Sequence, residues 1–412
     1  MDRDKVPGQA QTAADSAETS KGSSSRTAGL KPATILVRGG YNPADFHGFV
    51  NPPVIHASTV LFPNVEASQT RKSQRYTYGR RETPTNDALC DLVTELEGAA
   101  GTILASTGLA ACTIPLAAVL KTGDRILMVD NVYHPTRQFC DGFLKRFGVT
   151  TVYFDPTDLE TYRTLLAEPT AAVFLEAPGS LTFEVCDIPA LAGLAKAAGA
   201  VTLMDNTWAT PLYFRPLEHG CDISIQAGTK YFAGHSDLLI GTIACNDETL
   251  ARVHRTWDEW GEHVAPDDVY ATTRGIRTLD VRLARHQRNA LRVAQRLAGD
   301  RRVYRVLHPA LPDAPGHALW KRDFSGATGL FAITFKDTTN EMVSRFVDRL
   351  RLFGIGYSWG GYESLATVPI IDKWRTASTW PQDERVVRLS IGLEDPDDLI
   401  DDLMAALSVF DA

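Results

Sequence analysis

Short, unbroken apolar segments rich in β-branched residues alternate with stretches of helical periodicity between about residues 126 and 245. A strand buried on both faces has no polar face, so its sequence is continuously apolar rather than alternating. Strands that alternate with helices predict an α/β fold with a mainly parallel sheet. Ligands of such sheets bind beyond the carboxyl ends of the strands, so we expect functional side chains there. The predicted strands are 126–130, 150–154, 171–177, 201–205, 222–227 and 240–245.

A second, smaller α+β domain is predicted at the C-terminal end of the chain. Apolar residues recur at three- and four-residue spacing over 276–297, which predicts one long amphipathic helix that ends before Gly299. Segments 329–335 and 385–392 have the character of strands, and 396–410 that of a final helix. No internal repeat is visible.

Residues 1–32 are rich in Ser, Thr, Ala and Gly and contain few apolar residues, which predicts a disordered tail. A transit peptide is the alternative, but the four acidic residues of this segment do not fit an acid-poor presequence. The predicted organisation is therefore a tail, an arm, a large sheet domain and a smaller C-terminal domain. Their predicted bounds are 1–32, 33–80, 81–275 and 276–412.

Composition narrows the class of partner. A net charge of −8 gives no reason to expect a nucleic acid or a membrane surface as partner, and no apolar stretch is long enough to span a bilayer. The six cysteines are scattered without a CxxC pair, which predicts reduced thiols in a cytoplasmic protein. The ten histidines show no metal-binding spacing, so no metal site is expected. A small metabolite is the expected ligand.

An acid and an amine follow two predicted strands. Asp205 ends the segment 201–205, and Lys230 follows the segment 222–227. A lysine that forms a Schiff base and an aspartate that pairs with a pyridinium nitrogen are the groups that pyridoxal phosphate (PLP) requires. Each residue has a simpler interpretation, since Asp205 can cap the turn that follows it and Lys230 can be solvated.

Groups suited to a phosphate and to a planar ring accompany them. Gly108 stands at the start of an Ala- and Leu-rich helix, where free backbone N–H groups favour an anion. Thr229 can add a hydroxyl, and segment 76–86 offers two arginines. Tyr133 follows a strand and can lie against a planar cofactor. Taken singly, these features are equally typical of a helix cap, an exposed basic loop and a core tyrosine.

Six separated motifs together resemble the Cys/Met-metabolism family of PLP-dependent enzymes, from about residue 33 to the C-terminus. The resemblance implies the fold type I architecture related to aspartate aminotransferase, with PLP bound by the large domain, and a homotetramer built from paired dimers. The motifs are YTYGRRETPTNDALCDLVTELEG, FLEAPGSLTFEVCDIPAL, LMDNTWATP, AGTKYFAGHSD, YSWGGYES and RLSIGLEDPDDL.

The resemblance also implies roles for residues that bind the cofactor. Lys230 matches the lysine that binds PLP and later moves protons, Asp205 matches the partner of the ring nitrogen, and Tyr133 matches the tyrosine that stacks on the ring. The phosphate would be bound by the backbone of Gly108 and Leu109. Thr229 matches a further phosphate ligand of the same subunit. Tyr78 and Arg80 match phosphate ligands that come from a neighbouring subunit.

Further roles concern the substrate. Arg388 matches the arginine that binds the substrate α-carboxylate, and Ser358 and Trp359 match the substrate-side loop. Lys230, Tyr133 and Tyr78 are the predicted catalytic residues, and Tyr133 is also expected to contact the substrate. Ala227 is a departure, because many members of the family carry Ser at this position. The phosphate site thereby loses one possible hydroxyl.

The resemblance implies β-elimination of L-cystathionine to homocysteine, pyruvate and ammonia, a step of methionine biosynthesis. The β-lyase branch is favoured because Trp359 stands where γ-type members usually carry Leu. A γ-lyase, a γ-synthase or a carbon–sulfur lyase of broader specificity is the alternative within the family. A non-catalytic, PLP-binding regulatory protein is an alternative of another class, but it would be expected to lack Lys230, Asp205 or Arg388.

Overall fold

A computed structural model describes residues 27, 29–71, 74–371 and 375–411. The predicted disordered tail, 1–32, lies outside these residues except at its last positions. A helix begins at Pro32, next to the predicted start of the arm. No helix in the described part of the chain has the length and apolar character needed to cross a membrane.

A seven-stranded sheet forms the larger layer of the fold. Its order is β1-β7-β6-β5-β4-β2-β3, and β7 runs antiparallel to both of its neighbours while the other pairs are parallel. The predicted mainly parallel sheet is therefore confirmed, with β1 as an additional, unpredicted edge strand. The strands are β1 Gly101–Ala105, β2 Arg125–Val129, β3 Thr150–Phe154, β4 Ala172–Glu176, β5 Val201–Asp205, β6 Ile223–Gln226 and β7 Gly241–Cys245.

Helices pack against this sheet, and several of them begin at side chains that satisfy the first free N–H groups of the helix. Thr83, Thr107 and Asp187 accept such bonds at the starts of α3, α4 and α7. The helices up to α9 are α1 Pro32–Arg38, α2 Val65–Thr70, α3 Pro84–Glu97, α4 Gly108–Val119, α5 His134–Gln138, α6 Leu159–Leu166, α7 Ile188–Ala197, α8 Thr210–Tyr213 and α9 Asp247–Glu259. A π-helix continues α5 over Phe139–Leu144, and 3-10 turns occupy Pro43–Phe46 and Pro216–His219.

The prediction of one helix over 276–297 is wrong at its first turn. Helix α10, Pro266–Ile276, ends there, and α11, Leu279–Ala298, starts after a break at Thr278, whose φ of −108° and ψ of 11° are not helical. Arg277 lies in the break and donates from Nη1 to the carbonyl oxygens of Leu36 and Gly39, at 2.6 and 3.0 Å. Contacts with the N-terminal segment therefore accompany a bend that apolar periodicity does not reveal.

A five-stranded sheet of order β10-β11-β12-β9-β8 forms the smaller layer, antiparallel except between β10 and β11. Buried residues such as Leu297, Phe331 and Leu403 fill the space between this sheet and its helices. The strands are β8 Arg305–Leu307, β9 Leu330–Lys336, β10 Gly354–Ile355, β11 Leu365–Thr367 and β12 Glu384–Ser390. The helices are α12 His317–Asp323, α13 Asn340–Asp348 and α14 Pro396–Leu407, which a 3-10 turn over Ser408–Asp411 extends.

The two sheets meet at the carboxyl ends of β5 and β6. Trp208, which follows β5, is buried and donates from Nε1 to the carbonyl oxygen of Leu330 at 2.9 Å. Tyr231, which follows β6, accepts a bond at its hydroxyl from the Gly329 N–H at 3.0 Å. Both aromatic residues pack between the sheets, and this contact brings the loops of the smaller sheet over the strand ends of the larger one.

Candidate active site at the junction of the two sheets

Asp205 uses its two carboxylate oxygens differently. Its Oδ1 accepts bonds from the backbone N–H and the hydroxyl of Thr207, at 3.0 and 2.5 Å, whereas its Oδ2 faces the Cys112 thiol at 3.7 Å. Burial raises the pKa of Asp205, although the bonds from Thr207 oppose this. Each interpretation from the sequence therefore fits one oxygen: Oδ1 caps the turn, and Oδ2 has only the weak thiol partner among the described residues.

Lys230 follows β6, the strand next to β5, and points towards a loop of the smaller sheet. Its Nζ lies 2.9 Å from the Ser358 hydroxyl and 5.3 Å from the centre of the Trp359 ring. The pKa of Lys230 is lowered to about 8, mainly by burial and also by the positive charge of Arg388, while Asp205 opposes the shift. The structure therefore brings these predicted site residues together around an amine that loses its proton readily.

Arg388 lies on β12 and binds the loop that carries Ser358. Its Nη2 donates to the carbonyl oxygens of Gly356, Tyr357 and Ser358, at 3.2, 2.9 and 3.1 Å. Its Nε is buried and has no acceptor among the described residues. Burial lowers the pKa of Arg388 to about 10, so it remains charged at neutral pH. A buried donor without a partner is costly, and a substrate carboxylate would satisfy it.

Two glycines allow the loop to approach the lysine. Gly360 has a φ of +84°, and a Cβ atom there would lie 3.2 Å from both the backbone and the Cβ of Lys230. A Cβ on Gly361 would lie 2.2 Å from the Ser236 hydroxyl oxygen. The double glycine of the YSWGGYES motif is thus explained by a close approach of two loops.

Tyr133 is held by a hydrogen bond from its backbone N–H, and the residue is 43% exposed. Its N–H donates to Oε2 of Glu176 at 2.7 Å, and Glu176 ends β4 directly beside Asp205. Burial and the neighbouring Asp205 raise the pKa of Glu176 well above its ordinary value. Burial also raises the pKa of Tyr133, and Cys112 and Asp205 add to the effect. The sequence indicated Tyr133 but gave no sign of Glu176.

The start of α4 offers two free donors. The Thr107 hydroxyl accepts from the Ala110 N–H at 3.0 Å, but the N–H groups of Gly108 and Leu109 have no acceptor in the described part of the chain. Gly108 faces Ala227 so closely that a Cβ on the glycine would lie 2.5 Å from the alanine Cβ. Two unsatisfied N–H groups at a helix start suit an anion.

Thr229, the residue before Lys230, has its hydroxyl already engaged in hydrogen bonds. It donates to the carbonyl oxygen of Ile240 at 3.2 Å and accepts from the Ile240 N–H at 3.1 Å. To donate to a phosphate, the hydroxyl must turn away from that carbonyl oxygen. The structure thus gives Thr229 a second role, which is to attach the lysine turn to the start of β7.

Tyr78 and Arg80 lie on a segment whose backbone pairs with residues 58 and 59. Within this chain neither side chain bonds to Lys230, Asp205 or another predicted site residue. Arg80 instead donates from Nη2 to Asp258 at 2.8 Å, and about half of the Tyr78 side chain is exposed.

The residues that sequence reasoning missed are Thr207, Glu176, Cys112 and Asp258. Thr207 carries a local signal, because Asp-Asn-Thr is a turn sequence in which the aspartate accepts from the residue two positions on. The other three meet their partners only through the fold. No group of three or more potential metal ligands occurs among the described residues.

Residues 33–408 match the model of the family described as Cys/Met metabolism PLP-dependent enzyme. The chain belongs to this family. A putative cystathionine β-lyase of Rhizobium johnstonii is 52% identical, over 90% of this chain and 94% of the relative. Cystathionine β-lyase of Haemophilus influenzae is 42% identical, over 90% of this chain and 97% of the relative. A solved cystathionine γ-synthase of Xanthomonas oryzae pv. oryzae, in complex with cystathionine, has a TM-score of 0.85 at 33% identity, covering 93% of this chain and 99% of that one.

The cofactor of this family is PLP, and four features of the site fit it. In the part of the chain that the structure describes, a buried carboxylate has one oxygen with only a thiol partner, and a helix start has two free N–H groups. A tyrosine is partly exposed, and a lysine has a lowered pKa. These features correspond to the ring nitrogen, the phosphate, the ring face and the aldehyde of PLP.

Proposed function

We propose that this member of the family is a cystathionine β-lyase, a carbon–sulfur lyase that cleaves L-cystathionine to homocysteine, pyruvate and ammonia. The observation that carries the proposal is the position of Lys230 between Asp205 and Arg388, with a pKa of about 8. A neutral amine is available there near physiological pH to act as a base.

The residues then have the following roles. When bound, PLP withdraws electrons from the Cα atom of the amino acid attached to it. The Nε and remaining N–H groups of Arg388 would bind the α-carboxylate of the substrate, and Asp205 would hold a proton at the ring nitrogen of the cofactor. Tyr133 would stack on the cofactor ring and contact the substrate. The backbone N–H groups of Gly108 and Leu109 would bind the phosphate, together with Thr229.

Lys230 moves the protons. Its neutral Nζ takes the proton from Cα, and the electron pair of that C–H bond becomes a double bond between Cα and Cβ. The bond between Cβ and sulfur breaks with its electron pair leaving on sulfur, and Nζ returns a proton to that sulfur. Ser358, 2.9 Å from Nζ, holds the amine near the substrate-side loop. Water then releases pyruvate and ammonia from the remaining three-carbon fragment.

We prefer a β-lyase to a γ-type reaction because of the aromatic residues Trp359 and Tyr231 beside Lys230. Trp359 lies beside Nζ and packs edge-on against Tyr231, with ring centres 5.4 Å apart. Similarity to β-lyases of 52% and 42% identity supports the same choice. The γ-type alternative keeps the same cofactor residues, and the solved γ-synthase shows how closely the two folds agree.

The proposal includes a homotetramer in which Tyr78 and Arg80 reach the cofactor phosphate of a neighbouring subunit. Exposed apolar side chains on the same N-terminal segment support it, since Phe49, Val50 and Leu61 are 69, 81 and 84% exposed in the single chain. Mixed oligomers of Arg80→Ala and Lys230→Ala chains test this arrangement. Recovery of activity in the mixture is expected, and its complete absence would contradict a shared site.

The proposed domain division places the boundary between the PLP-binding domain and the C-terminal domain at residues 275 and 276. A distinct apolar core between the smaller sheet and its helices, formed by residues after position 289, supports a division into two domains. The proposed location is the cytoplasm, where the six free cysteines would stay reduced.

Product analysis with L-cystathionine tests the proposed reaction. Pyruvate and homocysteine are expected, whereas 2-oxobutyrate and cysteine would establish the γ-lyase alternative. Purified protein should be yellow and should lose its colour with borohydride. Lys230→Ala should release no pyruvate. A yellow wild-type protein that turns over no cysteine conjugate would instead be a binding protein.

A further inference from the structure

Asp258 connects two arginines that lie far from it in sequence. Its Oδ1 accepts from Arg80 Nη2 at 2.8 Å and from Arg81 Nε at 3.0 Å, and its Oδ2 accepts from Arg81 Nη2 at 2.8 Å. Arg81 therefore forms a bidentate ion pair with the carboxylate, while Arg80 adds a single hydrogen bond. Paired geometry of this kind fixes orientation as well as charge.

The position of Asp258 is locally unfavourable. It lies in the last turn of α9, where the partial negative charge of the helix end disfavours an acid, and that turn contains no basic residue. Burial raises the pKa of Asp258, but the bond from Arg80 and the charges of both arginines outweigh it and lower the pKa. The two arginines thus compensate for a residue that helix preferences would not select.

Arg80 retains an unused donor. Its Nη1 is buried without an acceptor in the described chain, although Nη2 is bonded to Asp258. Two guanidinium groups share one carboxylate, so the three side chains together carry one net positive charge. The Arg80 side chain is 26% exposed, so a partly exposed guanidinium group held on one side by Asp258 is suited to an anionic oxygen.

We propose that Asp258 is a positioning residue that holds Arg80, with Arg81 bracing it, in the orientation in which the Arg80 guanidinium group meets the cofactor phosphate. This inference rests on the proposed contact between Arg80 and the phosphate in a neighbouring subunit. Asp258 touches neither cofactor nor substrate, and its effect passes through the guanidinium group of Arg80.

Binding of PLP and of pyridoxal, which lacks the phosphate, separates this role from a general effect on folding. Apoenzyme with Asp258→Ala should bind PLP about tenfold more weakly, the scale typical of lost supporting contacts around a ligand, and should bind pyridoxal as the wild type does. Asp258→Asn retains one acceptor oxygen and should show a smaller loss, which gives a second measurement if the alanine variant does not fold. Glu259→Gln removes the same charge from an exposed neighbour and should change neither constant.

A double-variant cycle completes the test. If Asp258 acts through Arg80, adding Asp258→Ala to Arg80→Ala should weaken PLP binding no further. Equal weakening for PLP and pyridoxal, tighter PLP binding or additive losses would each overturn the positioning role. If Arg80→Ala weakens PLP binding and Asp258→Ala does not, only this inference fails. If Arg80→Ala has no effect, the proposed phosphate contact fails and takes this inference with it.

Discussion

The Nζ atom of Lys230 lies 2.9 Å from the hydroxyl of Ser358, a residue 128 positions further along the chain. The carbonyl oxygen of Ser358 in turn accepts a bond from Arg388 at 3.1 Å. One loop of the smaller sheet therefore touches both the proposed base and the proposed carboxylate-binding group. Displacing this loop should disturb substrate binding and proton transfer together.

The lowered pKa of Lys230 predicts how its reactivity depends on pH. Only the neutral amine reacts with acylating reagents, so labelling of Lys230 in the apoenzyme should rise with pH through a midpoint near 8, well below the ordinary value of 10.5. Because Arg388 lowers this pKa, Arg388→Gln should move the midpoint upwards, whereas Asp205→Asn should move it downwards. Peptide mapping of label against pH measures these shifts, and a midpoint above 10 in the wild type would contradict the burial argument.

Replacing Asp205 should impair turnover while preserving the local turn. In Asp205→Asn the side-chain oxygen can still accept from Thr207, but the negative charge that stabilises a protonated ring nitrogen is lost. We expect kcat to fall by on the order of a hundredfold, as for other charge-stabilising groups in enzyme sites, with a changed absorbance spectrum of the bound cofactor. Thr207→Ser keeps the hydroxyl and serves as the control, for which kcat should stay close to that of the wild type.

Arg388→Lys should reduce kcat/KM for L-cystathionine by at least about tenfold, because an ammonium group cannot form the paired bonds of a guanidinium group. The change also removes donors from the carbonyl oxygens of residues 356 to 358. Arg385→Lys, three positions earlier on the same strand and so on its other face, is the matched control. Equal losses in both variants would show that the effect is a general one on β12.

Alanine substitutions at two glycines with positive φ distinguish the effect of backbone strain from the effect of contact with the site. Gly360 and Gly123 have φ angles of +84° and +89°, but only a Cβ on Gly360 would press on Lys230, since nothing lies within 4 Å of one on Gly123. Both alanine variants should lose about 1–2 kcal/mol of unfolding free energy, the cost of an L-residue in this conformation. Only Gly360→Ala should also lose lyase activity. Denaturant unfolding and steady-state rates distinguish the two effects, and equal activity in both variants would contradict the close approach.

Where a sequence signal was local, the prediction from sequence was accurate. The continuous apolar segments correspond to β2 through β7 to within a few residues, because burial on both faces leaves the same mark on each strand. Asp205 and Lys230 were predicted to follow two strands, and the structure places those strands next to each other. Their roles, and those of Tyr78, Tyr133 and Arg388, stay predictions.

Where contacts join distant segments, the sequence was uninformative. The break at Thr278 accompanies bonds from Arg277 to residues near the N-terminus, yet apolar periodicity runs through it undisturbed. Glu176 looks like an ordinary strand end, and Asp258 like an unfavourable helix end. The environment of each residue is set by a hydrogen-bond partner on another helix, strand or loop.

The sequence by itself determined the alternating fold, the family and the cofactor, because these depend on patterns and motifs that the chain carries in order. Only the tertiary structure decided how the groups are tuned. Burial and distances of a few ångströms between residues far apart in the chain set three properties of the site. These are the pKa of Lys230, the different partners of the two Asp205 oxygens, and the ion pair between Arg80 and Asp258. Electrostatic interactions vary with separation and desolvation, and neither quantity is written in the order of the residues.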